Sequence, residues 1–176
     1  MLKLETKWTI WQNSVDDSNT KSWSDDLKNI GEFEEIPEYN YFINQIEKVG
    51  LQNIHSLNVF KRSIKPMWED PKNSNGGRLV LDVPHIGSEV IEPIWKITVA
   101  YCISNTVDGI CGCVYVEKPN VYKFSIWIEN ESYVDEVKKG WKEALVRYDV
   151  NIYFLSHKRS LDGSRVKKNY GNKRNQ

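Results

Sequence analysis

The sequence lacks any long apolar run, and this absence excludes one class of protein. No stretch of about 18 consecutive apolar residues occurs, so the sequence predicts no transmembrane helix. An excess of charge is lacking too, since 24 Lys and Arg residues balance 24 Asp and Glu residues. The chain therefore has no net field that would indicate a nucleic-acid partner. The end from about residue 158 is basic, which is compatible with phosphate contact or with a solvated, disordered segment.

Cysteine and histidine are scarce, with three residues of each. Three cysteines cannot all pair, and the chain begins without an apolar signal segment, so we expect a reducing, cytosolic compartment. Cys111 and Cys113 have no second cysteine pair and no nearby histidine, so we expect no zinc site. On a regular strand their side chains share one face, where core packing is the default interpretation.

Catalytic patterns are also missing from the sequence. No Ser-His-Asp set, Gly-rich phosphate loop or cluster of metal ligands stands out around the three histidines. Glu69 and Asp70 lie side by side on a tight loop, where two carboxylates would not flank a scissile bond. We therefore expect a protein that is not an enzyme and that holds no cofactor and no metal.

The length of the chain fits a single domain with a sizeable core, over residues 1–176. Hydrophobic periodicity predicts helices over residues 37–49, over residues 93–103 and after Asn130. The predicted strands outnumber these helices, and a hairpin joins two of the strands. We therefore predict an α+β fold with a mostly antiparallel sheet and helices on one face. The predicted strands cover residues 7–12, 57–62, 78–83, 110–117, 121–128 and 151–156.

Tryptophan, by contrast, is abundant in this sequence. Trp8 and Trp11 are predicted to pack on the sheet, whereas Trp23 stands in a hydrophilic stretch and is predicted to be exposed or to contact a ligand. Lys123 and Trp127 share one face of their strand, and we expect that face to be open to a ligand. The seven tryptophans are Trp8, Trp11, Trp23, Trp68, Trp95, Trp127 and Trp141.

The stretch over residues 64–73 combines an aromatic ring, a carboxylate and two prolines. Pro66 and Pro71 bracket Trp68 and Glu69, and because proline fixes the backbone and removes a donor, the stretch is predicted to be a rigid loop or turn. An acidic side chain beside the ring would be costly in a dry core. A ring face with an adjacent hydrogen-bond acceptor suits a flat, electron-poor heterocycle that carries donors.

These residues together resemble the eukaryotic translation initiation factor 4E family, whose members bind the 7-methylguanosine cap of mRNA. The specific part is the motif from Met67 to Asp70, followed at a set spacing by Gly-Gly-Arg. The resemblance implies a curved sheet of about eight strands, three helices on its convex face, a cap slot on its concave side, and a monomeric protein of the cytoplasm or also the nucleus. It covers nearly the whole chain in order, over residues 7–11, 21–23, 64–73, 76–78, 111–112 and 123–127 and the helix after Asn130.

The resemblance assigns four residues to the base of the cap. Trp23 and Trp68 would sandwich the methylated base, Glu69 would accept hydrogens from the guanine N1 and its exocyclic amine, and Trp127 would pack near the methyl group. The chemistry agrees, because methylation at N7 leaves a positive charge that gains about 0.5–2 kcal/mol from each ring face. Two donors on one carboxylate distinguish guanine from adenine.

The resemblance also assigns basic residues to the phosphates. Arg78 and Lys123 match basic positions of the family. A further family arginine falls at Glu117 or Lys118, and we prefer Lys118 because a carboxylate would repel a triphosphate. Arg165 would replace a family lysine in the C-terminal loop.

The helix face is implied to bind scaffold proteins of the initiation factor 4G type, or repressor peptides of the form Tyr-x-x-x-x-Leu-apolar. Asn40 stands where the family has a central tryptophan, so we expect weaker binding or a variant peptide. A cap-binding repressor that does not recruit the scaffold, and a general single-strand RNA binder, remain alternatives. The expected surface comprises Leu4, Ile36, Tyr39, Asn40, Lys96 and Ala100.

Overall fold

The computed structural model of the protein describes residues 2–14 and 26–159. These residues form a curved antiparallel sheet with α-helices on one face, which confirms the predicted α+β class. The helices are α1 (Ile36–Val49), α2 (Ile91–Ile103) and α3 (Val134–Ala144). The strands are β1 (Lys3–Asn13), β2 (Leu27–Glu35), β3 (Ser56–Lys61), β4 (Gly77–Pro84), β5 (Ile110–Glu117), β6 (Val121–Ile128) and β7 (Ile152–Ser156).

The sheet has the strand order β2-β1-β3-β5-β6-β4-β7, and each of these pairs is antiparallel. The described residues thus supply seven strands, against the roughly eight that the resemblance implied. No helix in these ranges is long and apolar enough to cross a membrane.

Local sequence signals account for α1. Pro37 lies in its first turn, where the missing N–H costs nothing, and the Glu38 carboxylate accepts from the backbone N–H of Glu34 (2.8 Å) and of Glu35 (3.2 Å). Gly50 ends the helix with a φ of 81°, a conformation that favours glycine. The predicted first helix is therefore confirmed with its start and end signals.

A large core fills the space between the helices and the sheet. Trp8, Trp95 and Trp141 are almost completely buried there. The indole N–H of Trp141 donates to the Thr98 hydroxyl (3.0 Å), which in turn donates to the Ile94 carbonyl (2.7 Å), so these buried polar groups are satisfied. This chain of bonds joins α3 to α2 inside the core.

The hairpin of β5 and β6 has the predicted bounds, and the residues of β6 divide between the two faces of the sheet as predicted. Phe124 and Ile126 pack in the core under the helices. Trp127, on the opposite face, belongs to a second, smaller cluster with Phe60 and Ile64. The face without helices therefore has an aromatic cluster of its own.

Two features differ from the sequence-based expectations. Strand β2 was not predicted, because it is an edge strand in which Phe33 alone is fully buried and the apolar alternation is weak. The expectation that Cys111 and Cys113 share a face is wrong. A shift of register between Ile110 and Gly112 inserts one extra residue, so Cys111 joins the small cluster and Cys113 the large core.

Candidate functional site

A cavity of about 350 Å³ opens on the sheet face that has no helices. Five of the predicted site residues line it, and they come from β4, β6, the turn between β5 and β6, and the loop between β3 and β4. The five are Trp68, Arg78, Lys118, Lys123 and Trp127.

The loop that carries Trp68 is fixed by hydrogen bonds to its own backbone. Both carboxylate oxygens of Asp70 accept backbone N–H groups, one from Lys65 and one from Lys72, each at 2.9 Å. The buried side-chain amide of Asn73 donates to the carbonyls of Lys65 and Met67, both at 2.8 Å. The predicted rigid loop is therefore confirmed, and its rigidity comes from Asp70 and Asn73 as well as from the prolines.

His157, which sequence reasoning missed, packs behind both cavity tryptophans. Its ring centroid lies 6.2 Å from that of Trp68 in a nearly parallel arrangement and 4.5 Å from that of Trp127. Its Nδ1 lies 2.8 Å from the carbonyl oxygen of Asn73, and because a carbonyl can only accept, Nδ1 carries the proton. No local sequence pattern could have found this contact, since 84 positions separate His157 from Asn73.

Burial keeps the His157 imidazole neutral. Burial lowers its pKa to about 4, the bond to the Asn73 carbonyl opposes that change, and the positive charge of Arg78 adds to it. The ring therefore provides an uncharged, flat support beside Trp68 at neutral pH.

The two cavity tryptophans are held differently. Trp127 is 4% exposed and meets Phe60 edge to face, with centroids 5.4 Å apart. Trp68 is half-buried, and the guanidinium carbon of Arg78 lies 5.2 Å from the centroid of its ring. Burial lowers the pKa of Arg78, and its Nη1 has no hydrogen-bond partner among residues 2–14 and 26–159. Arg78 thus places a half-buried cation at the cavity wall beside an aromatic face, and its unpaired Nη1 is itself buried.

The register of the hairpin places Lys118, and not Glu117, at the cavity. Glu117 pairs with Tyr122, whose side chain lies in the core under the helices, and paired residues share a face. Lys118 follows one position later, is exposed and lines the cavity. The geometry agrees with the preference for Lys118.

Lys123 reaches the cavity but is already paired. Its Nζ lies 2.7 Å from a carboxylate oxygen of Asp82 and 2.9 Å from the Tyr153 hydroxyl. Burial alone would lower the pKa of Lys123, and these two bonds raise it above its usual value. Neither partner was expected from the sequence.

The remaining predicted site residues lie apart from this group. Glu69 follows Trp68 on the loop, but its side chain is exposed and is not among the residues that line the cavity. Trp23 and Arg165 lie outside the described residues. The cavity wall includes Asn13, Ser14 and Asp26, which border the range 15–25 in the sequence.

A buried polar strip, also missed, forms one wall of the cavity. Asn58 is 1% exposed, and its side-chain amide donates to the Trp11 carbonyl (3.3 Å) and to the side-chain oxygen of Asn13 (3.1 Å). The Ser56 hydroxyl donates to the same Asn13 oxygen at 3.2 Å. These bonds fix the end of β1 against β3.

The expected partner surface lies on the helix side of the sheet. The Tyr39 hydroxyl of α1 donates to the Lys96 carbonyl of α2 at 3.4 Å, and the Lys96 ammonium pairs with Glu47, so the two helices are in contact. Asn40 and Ala100 are exposed, whereas Leu4 and Ile36 are half-buried.

Comparison with known proteins shows which family has this arrangement. The sequence matches the family model of eukaryotic initiation factor 4E over residues 3–172. The chain belongs to that family. It is 32% identical to initiation factor 4E-1 of Caenorhabditis elegans over 133 residues, which cover 72% of this chain and 62% of the nematode protein. It is 31% identical to the 4E-1 protein of Glycine max, over 94% of this chain and 72% of the soybean protein. This chain thus spans about two thirds of the length of such relatives.

Solved structures of 4E proteins share the fold. One is the complex of C. elegans eIF4E-3 with the 4E-binding protein Mextli and a cap analog, with a TM-score of 0.79 and 25% identity over 92% of this chain and 95% of that one. Another is Ascaris suum eIF4E-3 with an m7G cap, with a TM-score of 0.76 and 25% identity over 86% of this chain and 89% of that one.

Proposed function

We propose that this chain binds the 7-methylguanosine cap of mRNA and recruits the mRNA for translation initiation. The observation that carries the proposal is the cavity in which Trp68 and Trp127 stand beside the cationic side chains of Arg78, Lys118 and Lys123. The family and its cap-bound members support the same ligand. The proposed activity is binding without catalysis, by a single domain in the cytoplasm or the nucleus.

The methylated base would stack between Trp68 and Trp23, with Trp127 near its methyl group. Each stacking partner is expected to contribute about 1–3 kcal/mol, and the positive charge of the base adds a cation–π attraction. Glu69 would turn from its exposed position toward the base and accept both guanine donors. The loop supports this role, because Asp70 and Asn73 hold the backbone while the Glu69 side chain is exposed.

The phosphates would lie toward the basic end of the cavity. Arg78 lines the cavity with a half-buried guanidinium group, and Lys118 is exposed just after the end of β5. Lys123 would contribute less than its position suggests because of its bonds to Asp82 and Tyr153. Arg165 is proposed to complete this set.

The helix face would bind a scaffold or repressor peptide. The C. elegans eIF4E-3 complex contains a 4E-binding protein, which supports a protein partner for this chain as well. Asn40 offers a small polar side chain where an aromatic anchor would bury more area, so we propose a weaker or variant peptide.

Retention on immobilised 7-methyl-GTP tests the proposal. The full chain is expected to bind the resin and to elute with free 7-methyl-GTP but not with GTP at the same concentration, because only the methylated base carries the extra charge. Equal elution by both nucleotides would overturn cap recognition. Binding that increases with RNA length and falls steeply with salt would indicate a general single-strand RNA binder instead.

A further inference from the structure

Three side chains from three neighbouring strands form a closed hydrogen-bonded cluster at the edge of the cavity. Lys123 of β6 donates to Asp82 of β4 (2.7 Å) and to the hydroxyl of Tyr153 on β7 (2.9 Å). The Tyr153 hydroxyl lies 2.9 Å from the second carboxylate oxygen of Asp82. An ammonium group can only donate, so the tyrosine hydroxyl accepts from Lys123 and donates to Asp82. We call these three residues the Lys123 cluster.

The sheet register builds this cluster on the cavity face. Asp82 and Lys123 are directly paired across β4 and β6, and Tyr153 pairs with Val80 of β4. Arg78, Val80 and Asp82 alternate along β4, so all three lie on the face that carries the cavity. The Lys123 and Asp82 side chains are each about one third exposed, so water screens their charges only in part.

The bonds within the cluster weaken the attraction of Lys123 for a phosphate group. A carboxylate 2.7 Å from the ammonium group cancels most of its attraction at distances well beyond that separation and weakens it at closer range. Two of the three ammonium hydrogens are engaged, and both carboxylate oxygens accept a bond. A phosphate that approached Lys123 would gain one hydrogen bond and would also be repelled by Asp82.

We propose that Asp82 acts as a clamp on Lys123 that limits how much affinity the outer phosphates of the nucleotide add, while Tyr153 bonds to both residues and supports their geometry. The proposal rests on the proposed cap binding and concerns a different part of the ligand. The cavity would then select chiefly on the methylated base, with Arg78 and Lys118 as the main phosphate contacts. Asp82 is thus a specificity-determining residue that acts through Lys123.

Affinities for 7-methyl-GMP and 7-methyl-GTP test the clamp. We call the affinity for 7-methyl-GTP divided by that for 7-methyl-GMP the phosphate step, because it measures what the two outer phosphates add. Asp82→Asn keeps the shape and the hydrogen bond to Lys123 but removes the negative charge. We expect this variant to raise the phosphate step about tenfold over that of the unaltered chain, with little change in the methylated-over-unmethylated ratio. An unchanged or smaller step would overturn the clamp and would make Asp82 a residue that merely positions Lys123.

A double-mutant cycle assigns the effect to Lys123. Lys123→Met is expected to lower 7-methyl-GTP affinity by less than about threefold in the unaltered chain and to abolish the whole gain in the Asp82→Asn background. A gain that survives Lys123→Met would contradict the proposal. Tyr153→Phe keeps the charge pair and should change the phosphate step by less than about twofold. A rise as large as that of Asp82→Asn would contradict an electrostatic cause.

Glu129→Gln is the matched control. Its carboxylate pairs with Lys72 at 3.2 Å and is not among the groups that line the cavity, so it changes net charge without touching the cluster. We expect the phosphate step of Glu129→Gln to equal that of the unaltered chain. A rise as large as that of Asp82→Asn would mean that net charge alone causes the effect.

Binding of inorganic tripolyphosphate separates the clamp from cap recognition. Asp82→Asn should bind tripolyphosphate about tenfold more tightly than the unaltered chain whether or not a methylated base is recognised. If 7-methyl-GMP and GMP bind equally while this gain is present, the proposed function fails and the clamp stands. If the methylated base is preferred but the gain is absent, only the clamp fails.

Discussion

At the scale of single residues, the position of Trp68 depends on side chains that would not themselves touch a base. Asn73 holds the two carbonyls that precede the tryptophan, and His157 supports its ring and bonds to the Asn73 carbonyl. Both residues are completely buried. A stacking platform is useful only if its ring is fixed before the ligand arrives, and these contacts fix it.

Asn73→Ala tests this support. The substitution leaves the carbonyls of Lys65 and Met67 without their donor, and we expect it to lower the free energy of unfolding by about 1–3 kcal/mol. Urea unfolding measures this loss. Asn75→Ala, in the same loop but exposed, should change stability by less than about 0.5 kcal/mol. Similar losses in the two variants would contradict a specific role of the Asn73 amide.

His157 gives stability a defined pH dependence. Its pKa is about 4 in the folded protein and near 6.5 in an unfolded chain, so between these values the unfolded state binds more protons. The contribution is therefore complete above about pH 6.5 and is lost as the pH falls toward 4, by an amount of the order of 3 kcal/mol. Urea unfolding at pH 7 and pH 5 should show roughly 2 kcal/mol of this loss.

The His157→Gln variant should lose this part of the pH dependence. The exposed His55, changed to Gln, serves as the control and should leave the slope between pH 7 and pH 5 as it is. A His157→Gln variant with the original slope would show that other groups carry the effect.

Trp68→Ala tests the cavity directly. Loss of one stacking face should weaken 7-methyl-GTP binding at least about tenfold, as followed by quenching of the remaining tryptophans. Tyr41→Ala removes an exposed aromatic ring from α1 and should leave the affinity unchanged. Normal binding by Trp68→Ala would refute the assignment of the ring.

How much of the site could be predicted depended on whether its signal was local. Trp68, Arg78 and Trp127 belong to recognisable stretches, and the structure brings them to one cavity. Asp82 and His157 gave no such signal, because their partners lie on other strands and only the sheet register joins them. The sequence alone therefore did not predict polar contacts between segments that are far apart along the chain.

At the scale of elements, local pairing and packing decided which predictions succeeded. The hairpin of β5 and β6 was predicted with its bounds because both strands are largely buried apolar runs on either side of a short turn that contains Pro119. The edge strand β2 forms by pairing with β1 and has no such apolar run, so the sequence did not reveal it. The bulge that separates the faces of Cys111 and Cys113 was equally hidden, since one inserted residue leaves no pattern.

The close approach of β3 and β5 gives a stability test at this scale. A Cβ added to Gly112 would lie 2.4 Å from the Phe60 ring and 2.6 Å from the Val59 carbonyl oxygen, so Gly112→Ala must push the two strands apart. We expect a loss of about 1–3 kcal/mol in the free energy of unfolding. Gly31→Ala on β2, whose new Cβ would meet only Ile10 at 3.5 Å, should cost nothing or stabilise slightly. Equal losses would contradict the packing explanation.

At the scale of the whole molecule, one sheet separates two surfaces with different tasks. The cavity lies on one face, and the helices with the proposed partner surface lie on the other. Between them stands a core in which Trp8, Trp95 and Trp141 are almost fully buried. The cavity and the proposed partner surface share no residue, so we expect an exposed side chain changed on one side to leave binding on the other side nearly unaffected.

Asn40→Trp tests both the partner surface and this separation. A tryptophan at this exposed position of α1 should bind a Tyr-x-x-x-x-Leu-apolar peptide about tenfold more tightly than Asn40 does, because it adds an aromatic anchor next to Tyr39. Fluorescence anisotropy of a labelled peptide measures the gain, and Lys48→Trp, near the end of the same helix, should show none.

The separation of the two surfaces is tested by measuring each variant with the ligand of the opposite face. Trp68→Ala should change peptide affinity by less than about twofold, and Asn40→Trp should change 7-methyl-GTP affinity by less than about twofold. Additivity is expected for distant sites without shared partners. A loss of peptide binding in Trp68→Ala would mean that the sheet couples its two faces. Independent effects would mean that the cap and the partner peptide bind to opposite faces of the sheet without coupling.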